Sequence, residues 1–560
     1  MGRFPLRGSF TSCSRLTICI GHSNCLAEEP RSHKSIAVPV SPRGPSPFSL
    51  RRRDMLAYIG VSVAGLAFAP VVRGQTPQAT ISARMGDNQR FDPAVVVDIA
   101  RQLSKKPYAA APNDLPDVFA NLNQEQYSAI RYTQPAIWST EARGISVEPL
   151  HRGFVFRDAV DLFVVEDGAV RRIGFSPTQF DYGRINLPNN IADIGYSGFK
   201  LIAQLGNGKP FDFAFVQGGT FFRAIARGQT YGAIARALTL RPAEARGEEF
   251  PVFRAFWLER PGVGSNAITV HGVLDSESTS GAVRMTFRPG DMTIVDVETT
   301  LFPRVNLEHV GLGGIASTYL YGPNDLLNSD DIRPAVYESS GLQMLNGSGE
   351  WLWRPLHNPE TLQISAFVDS SPRGFGLLQR ERSYEAFQDD EQRFERRPSL
   401  WIEPLGDWGQ GSVQLLEIPT DAEINDNILT YWRPKAPMTA GSEVAVAYRQ
   451  YWGWNSPERP PLATVSSTRS GRGSGGRRRR FTVDFTGDAL GDNLPADLKS
   501  VLTVGPGTFQ NLKLLPYPER KTVRVAFELD PGNENACEMR LILESGGKPI
   551  SETWLYRWTP

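Results

Sequence analysis

Cysteine is nearly absent: there are four in 560 residues, and three of them, Cys13, Cys19 and Cys25, fall at the very start. With residues 1–74 set aside only Cys537 remains, so no internal disulfide can form and the fold must be held by its core. His151, His271, His309 and His357 are too scattered beside that single thiol to give zinc-ligand spacing, and no metal is expected. Long apolar runs are also scarce. The one stretch approaching the roughly 18 residues of a membrane span is 55–72, interrupted by Gly60, Gly65 and Pro70, which excludes membrane insertion of the processed chain. Neither sign of charge dominates, at 60 Lys+Arg against 60 Asp+Glu. Residues 1–74 carry 10 basic and 3 acidic residues, leaving 50 against 57 and a net charge of −7, which argues against nucleic acid or an anionic membrane as partner. Familiar signatures are missing too: no P-loop, no GxSxG, no HExxH and no dinucleotide fingerprint after a strand, so no cofactor is implied. Gly218-Gly219 and Gly311-Leu312-Gly313-Gly314 read as turns, and no internal repeat recurs at a fixed period.

What is present begins with an address. Residues 50–75 read LRRRDMLAYIGVSVAGLAFAPVVRGQ, a basic cluster, an apolar run and a small-residue site at Val72-Arg73-Gly74; Arg52-Arg53-Asp54-Met55-Leu56 fits the twin-arginine export pattern. Residues 1–49 read as an overlong n-region or a misassigned start, so 1–74 is expected to be an extension plus signal peptide and the mature chain to start near Gln75 in the periplasm. A single clear helix follows, capped by Asp92-Pro93 and carrying Val96, Ile99, Ala100 and Leu103 at helical spacing, with a second short piece around 116–122. From His151 the period changes to two. A hairpin is predicted at 161–175 around Asp167-Gly168, and strands recur through 199–301 and on to 418 without amphipathic helices between them. That pattern predicts an all-β chain, with a large antiparallel sandwich over 75–433. The proline-rich break at 434–437 predicts an interdomain hinge, and seven short strands over 438–560 predict an immunoglobulin-like sandwich. Within it the Gly/Arg run 469–480 reads as a disordered loop.

The richest stretch is 330–375, which concentrates Asp330, Asp331, Glu338, Glu350, Arg333, Arg354, Arg373, Trp351 and Trp353 among turn signals. Carboxylates, guanidinium groups and indoles suit a carbohydrate cleft, because a sugar has apolar faces for stacking and a hydroxyl rim for charged partners. Trp351, Trp353 and Trp401 are therefore candidate stacking platforms, with core burial as the alternative, and Arg333, Arg354 and Arg373 are candidates for hydroxyl contacts or for holding the acids ionised by pairing. Two carboxylates suffice for glycoside hydrolysis, one protonating the leaving oxygen and one acting on the other face.

The blocks GGTFFRAIARGQTYGAIARAL (218–238), FPVFRAFWLERP (250–261), DDIRPAVYESSGL (330–342), GEWLWRPLHNP (349–359), PRGFGLLQR (372–380), RRPSLWIEP (396–404), EIPTDAEINDNI (417–428) and SETWLYRW (551–558) resemble, in order through almost the whole chain, the periplasmic glucan biosynthesis proteins G and D. The twin-arginine address points to the D branch. The resemblance implies a galactose-mutarotase-like sandwich followed by an immunoglobulin-like domain, and action on osmoregulated periplasmic glucans by inverting cleavage of β-1,2-linked glucan, or by transglycosylation. It places the two catalytic carboxyls on Glu338, implied as proton donor, and Asp426, implied as base, with Glu423 beside the latter; spacing alone leaves these roles open. At 338 the family's usual Asp is replaced by Glu, a reach longer by one methylene. A non-catalytic alternative, in which the sandwich binds glucan and the small domain contacts glucan synthesis or export machinery, stands beside the enzymatic one.

Overall fold

The computed structural model describes residues 90–560 except 113, 139–143, 326–329 and 493; the twin-arginine segment and the proposed cut near Gln75 lie outside the described residues. The helix Pro93–Ser104 forms as its sequence predicts. Asp92 accepts from the Ala94 N–H at 2.9 Å, and Val96, Ile99, Ala100 and Leu103 bury one face against Phe163, Trp257, Val273 and Ala282 of a sheet. The second piece is one turn, Asp117–Ala120, and a further short helix, Gln124–Ala129, follows behind an Asn123–Gln126 capping box. No helix among the described residues is long and apolar enough to cross a membrane.

The regular structure is otherwise mainly strand, and two large sheets pack face to face. One has ten strands, with Phe211–Gln217, Phe221–Ala224, Ile234–Arg236, Val310–Ser317, Ile428–Pro434, Gln410–Glu417 and Gln363–Ser370 side by side in that order. The other has fifteen and includes the hairpin Asp161–Glu166/Ala169–Arg172, turned at Asp167 and Gly168 with φ of 52° and 83°. Period-two alternation sends Phe199, Val216, Ile315, Leu415 and Trp432 from one sheet against Val270, Met285, Val297, Leu377 and Tyr448 from the other, in one continuous core. This is the all-β sandwich that the strand spacing predicts.

Two expectations change. The strand Val444–Gly453, assigned by the proline break to the small domain, lies inside the fifteen-stranded sheet, antiparallel to both Thr293–Pro303 and Ser399–Leu405. The stretch 434–437 is thus a crossing from one sheet of the sandwich to the other, pinned where Leu307 and Met438 exchange backbone hydrogen bonds at 2.9 and 3.1 Å. A proline pair marks the end of a strand, and the sequence does not say whether the chain then leaves the domain or changes sheets. The Gly/Arg run is ordered as well. Thr464–Arg472 and Arg479–Thr486 form an antiparallel hairpin in which Arg478 pairs with Asp530 at 2.9 Å and Arg480 with Glu528 at 3.1 Å, so neighbouring strands neutralise a run that looks self-repelling by itself.

Beyond 463 a four-stranded sheet, Thr464–Arg472, Arg479–Thr486, Thr522–Asp530 and Thr508–Tyr517, covers Lys499–Gly505, Cys537–Ser545 and Thr553–Trp558 around Phe481, Val525, Phe527, Leu541 and Trp554. The lone Cys537 is a fully buried, free thiol in that core. Thr553–Trp558 also pairs in parallel with Trp351–Pro355, so the fifteen-stranded sheet runs on through these three strands into the smaller sandwich.

Candidate active site

Thr318 follows directly on the central strand Val310–Ser317, and it ties together two segments distant in sequence. Its carbonyl accepts from the Glu338 N–H at 2.9 Å, and its hydroxyl donates to the Asn425 carbonyl at 3.1 Å. One residue on, Tyr319 donates its N–H to the Asn427 side chain at 2.8 Å and its carbonyl accepts from the same amide at 2.9 Å. Asn427 also donates to the Ile418 carbonyl at 3.0 Å, closing the loop that carries Asp426. Each acid therefore sits at or beside a residue held by the 318–319 backbone. Stacking of Tyr337 on Tyr319, with centroids 5.2 Å apart, stiffens the Glu338 side.

The Glu338 side chain is only 13 % exposed; Oε1 stands 3.9 Å from Nε of Arg397, and Oε2 is buried without a hydrogen-bond partner. Burial pushes this carboxyl above the ordinary glutamate range, Arg397 and Arg223 oppose the shift, and Asp426 adds to it. The last contribution requires the two acids to lie within electrostatic reach. Asp426 is exposed to solvent, yet loss of surrounding water also raises its carboxyl, against the pull of Arg223 and Arg236. Arg223 and Arg236 come from neighbouring strands, where Phe221 pairs with Arg236, so period two places both guanidinium groups on the same face of the ten-stranded sheet. Arg236 is itself paired with Glu248 and lies over the Phe221 ring at 5.3 Å.

The remaining nominated residues divide. Glu423 lies 2.6 Å from Arg333, which also binds Asp331 at 2.7 Å and Asp389 at 2.8 Å. Hydrogen bonds from Arg333 hold the Asp331 carboxyl down to about 2. Arg333 thus spends its donors on three carboxylates, and Glu423 stands in an ion-pair cluster near the pair. Arg354 is 1 % exposed, bound to Glu417 at 3.1 Å beneath Tyr556, whereas Arg373 is exposed. The indoles follow the core alternative. Trp351 and Trp401 are 6 % and 4 % exposed and stack on each other at 5.9 Å, while Trp353 is 3 % exposed in the core of the smaller sandwich, under Arg380 at 3.4 Å. Their faces are covered by protein. Gly374 shows how closely: a Cβ there would stand 2.3 Å from Trp401. Arg397, Arg223, Arg236 and Thr318 escape a reading of the sequence, because isolated arginines on three separate segments carry no spacing signal.

Residues 91–558 match the family model described as "Periplasmic glucan biosynthesis protein, MdoG". The chain is 44% identical over 513 residues to the glucans biosynthesis protein G of Bradyrhizobium diazoefficiens, covering 91% of this chain and 100% of that one. To the protein of the same name from Shewanella sp. (strain W3-18-1) it is 47% identical over 478 residues, 84% of this chain and 87% of the relative. Among solved structures, the GH36 alpha-galactosidase AgaA from Geobacillus stearothermophilus aligns with a TM-score of 0.23 and 9% identity, covering 46% of this chain and 39% of that one, a likeness too slight to carry an argument. The relatives bear the G name, which corrects the D-branch expectation drawn from the twin-arginine pattern. Taken with the fold, these matches establish that the chain belongs to the periplasmic glucan biosynthesis (MdoG) family.

Proposed function

We propose that this chain, a member of a family that serves periplasmic glucan biosynthesis, cleaves β-1,2-linked glucan with inversion at the anomeric carbon. Glu338 gives its proton to the leaving glycosidic oxygen as the C–O bond breaks. Asp426 takes a proton from a water that forms the new C–O bond on the opposite face. If a sugar hydroxyl replaces that water, the same pair transglycosylates. The observation that carries the reading is the contrast between the two acids: both are raised and both are tied to the 318–319 backbone, but Glu338 is enclosed and Asp426 is open to solvent. An enclosed carboxyl that resists ionisation suits a donor, and one that water can reach suits a base. Export by the twin-arginine route belongs to the same reading, and replacing Arg52 and Arg53 with Lys should leave precursor in the cytoplasm.

The test is incubation of the purified chain with linear β-1,2-glucan, following the anomeric configuration of the first product by proton NMR. Inverted product that disappears in Glu338→Gln and in Asp426→Asn supports the assignment. Retained configuration overturns it, and binding without turnover makes the protein a glucan-binding component of the assembly machinery.

A further inference from the structure

We propose that Arg397 is the positioning residue of Glu338: its cation faces the carboxyl and stabilises the negative charge that proton donation leaves on it. This rests on the reading of Glu338 as proton donor. Arg397 Nε stands 3.9 Å from Oε1, inside ion-pair range but beyond hydrogen-bond length. Neither this Nε nor Glu338 Oε2 has a hydrogen-bond partner, although both atoms are buried. Two unsatisfied polar atoms on a facing cation and acid are costly in a resting protein, and the cost falls when the acid ionises and the gap closes into a charge-assisted bond.

The guanidinium is held for that purpose from three sides. Its Nη2 donates to Gln392 at 2.7 Å, it lies over the Phe394 ring at 5.5 Å, and its stem runs against Gly232, where a Cβ would stand 2.9 Å from Arg397 Cδ. Thr230 donates its N–H to the Arg396 carbonyl at 3.2 Å, which keeps the Gly232 segment against the arginine. Among charged groups, Arg397, Arg223 and Asp426 act on Glu338, while Glu338, Arg223, Asp389 and Glu423 act on Arg397. Burial draws the Arg397 guanidinium below its usual range, Glu338 opposing, but an arginine remains charged at any working pH. A cation facing Oε1 therefore opposes the rise that burial causes and stabilises the carboxylate that proton donation leaves behind.

The experiment has two independent readouts on Arg397→Gln and Arg397→Lys. The first is the titration of the Glu338 carboxyl, followed by difference infrared spectroscopy and assigned against Glu338→Gln; it needs no turnover. Removing the cation should move the midpoint up by about one pH unit or more in Arg397→Gln, while Arg397→Lys stays within a few tenths of the parent. The second is the pH profile of kcat/KM on linear β-1,2-glucan. Because Glu338 must be protonated to act, the alkaline limb should move up with the midpoint, and kcat should fall roughly 10–100-fold with KM little changed. An infrared midpoint that does not move in Arg397→Gln overturns the proposal. A midpoint that moves up while the acid limb shifts in place of the alkaline one also overturns it, since Glu338 is then the base. A midpoint that moves in a protein without turnover supports the Arg397–Glu338 coupling and removes only the hydrolase reading. If Arg397→Gln does not fold, the midpoint in Arg397→Lys decides, and a rise there comparable to charge loss overturns the point-charge role.

Discussion

Glu417 and Glu338 are both closed off from solvent beside a buried arginine, yet their carboxyls are displaced in opposite directions. Glu417 is fully buried; burial alone would raise it, but Arg354 at 3.1 Å and His357, through Nδ1 at 2.9 Å and its backbone N–H at 3.1 Å, together hold it below the usual range. Glu338 has its arginine at 3.9 Å, no donor on Oε2, and is raised. The distance from the arginine changes by less than 1 Å, so that one pair does not account for the reversal by itself. What differs is the company of the ionised form: Glu417 has both Arg354 and His357 on its side, with hydrogen bonds from each, whereas Glu338 has Arg397 beyond hydrogen-bond length and Asp426 working against it. A satisfied buried carboxylate is a structural tie, and an unsatisfied one is held ready for a proton.

The largest way to break the comparison is at the tie. Glu417→Gln leaves the Arg354 charge uncompensated and should cost about 3–5 kcal/mol, measured as a lower urea midpoint, with turnover per folded molecule unchanged. A loss well under 1 kcal/mol would mean that the two sites do not differ in kind. At the other site the same exchange should act on chemistry. Glu338→Gln and Asp426→Asn should each lower turnover on β-1,2-glucan at least about a hundredfold. Their stability should not fall. A carboxyl raised in the folded state imposes no penalty below its unfolded value near 4.3 and the full penalty above its folded value, so Glu338→Gln should match or exceed the parent Tm at pH 7 and show no gain at pH 4. Glu338→Asp sharpens the point. Withdrawing the carboxyl by one methylene changes its distance from Arg397 and from the scissile bond, and turnover should fall roughly tenfold to a hundredfold; a faster Asp variant would mean that the cleft is not built around Glu. The smallest effect belongs to Asp331. Held at about 2 by Arg333, it contributes stability that is present above its unfolded value near 3.9 and is lost as pH falls toward 2. In Asp331→Asn that acid slope should flatten, though only slightly, since water screens a partly exposed pair.

Strands were legible in the sequence because alternation survives wherever one face is buried, as in Phe211–Gln217 or Thr293–Pro303. Helix Pro93–Ser104 announces itself through its cap and its stripe. Which sheet a strand joins is set by long-range pairing, and Val444–Gly453 carries no mark of its neighbours, so a proline break alone does not tell which sandwich the strand enters. The indoles are ambiguous in the sequence for a related reason. Residues 351 and 353 point to the same side of one strand, and alternation tells that they share a face without telling what covers it. The two acids are nominated by the resemblance alone. Nothing local separates Glu338 from Glu350, which pairs with Arg540, and the difference appears only once Thr318 and Arg397 are brought beside it.

The placement of Val444–Gly453 also bears on time. That strand is the filling between Thr293–Pro303 and Ser399–Leu405, partners separated from it by roughly 40 to 150 positions along the chain. Until it arrives, two strands at the centre of the fifteen-stranded sheet present open edges, each a template for pairing with another molecule. A topology dominated by such distant contacts closes late and slowly, and nascent fragments stopping short of 444 are expected to aggregate in place of forming half a sandwich. Assembly of the large sandwich is therefore an all-at-once event, and its most vulnerable moment comes before the middle of the sheet has been filled.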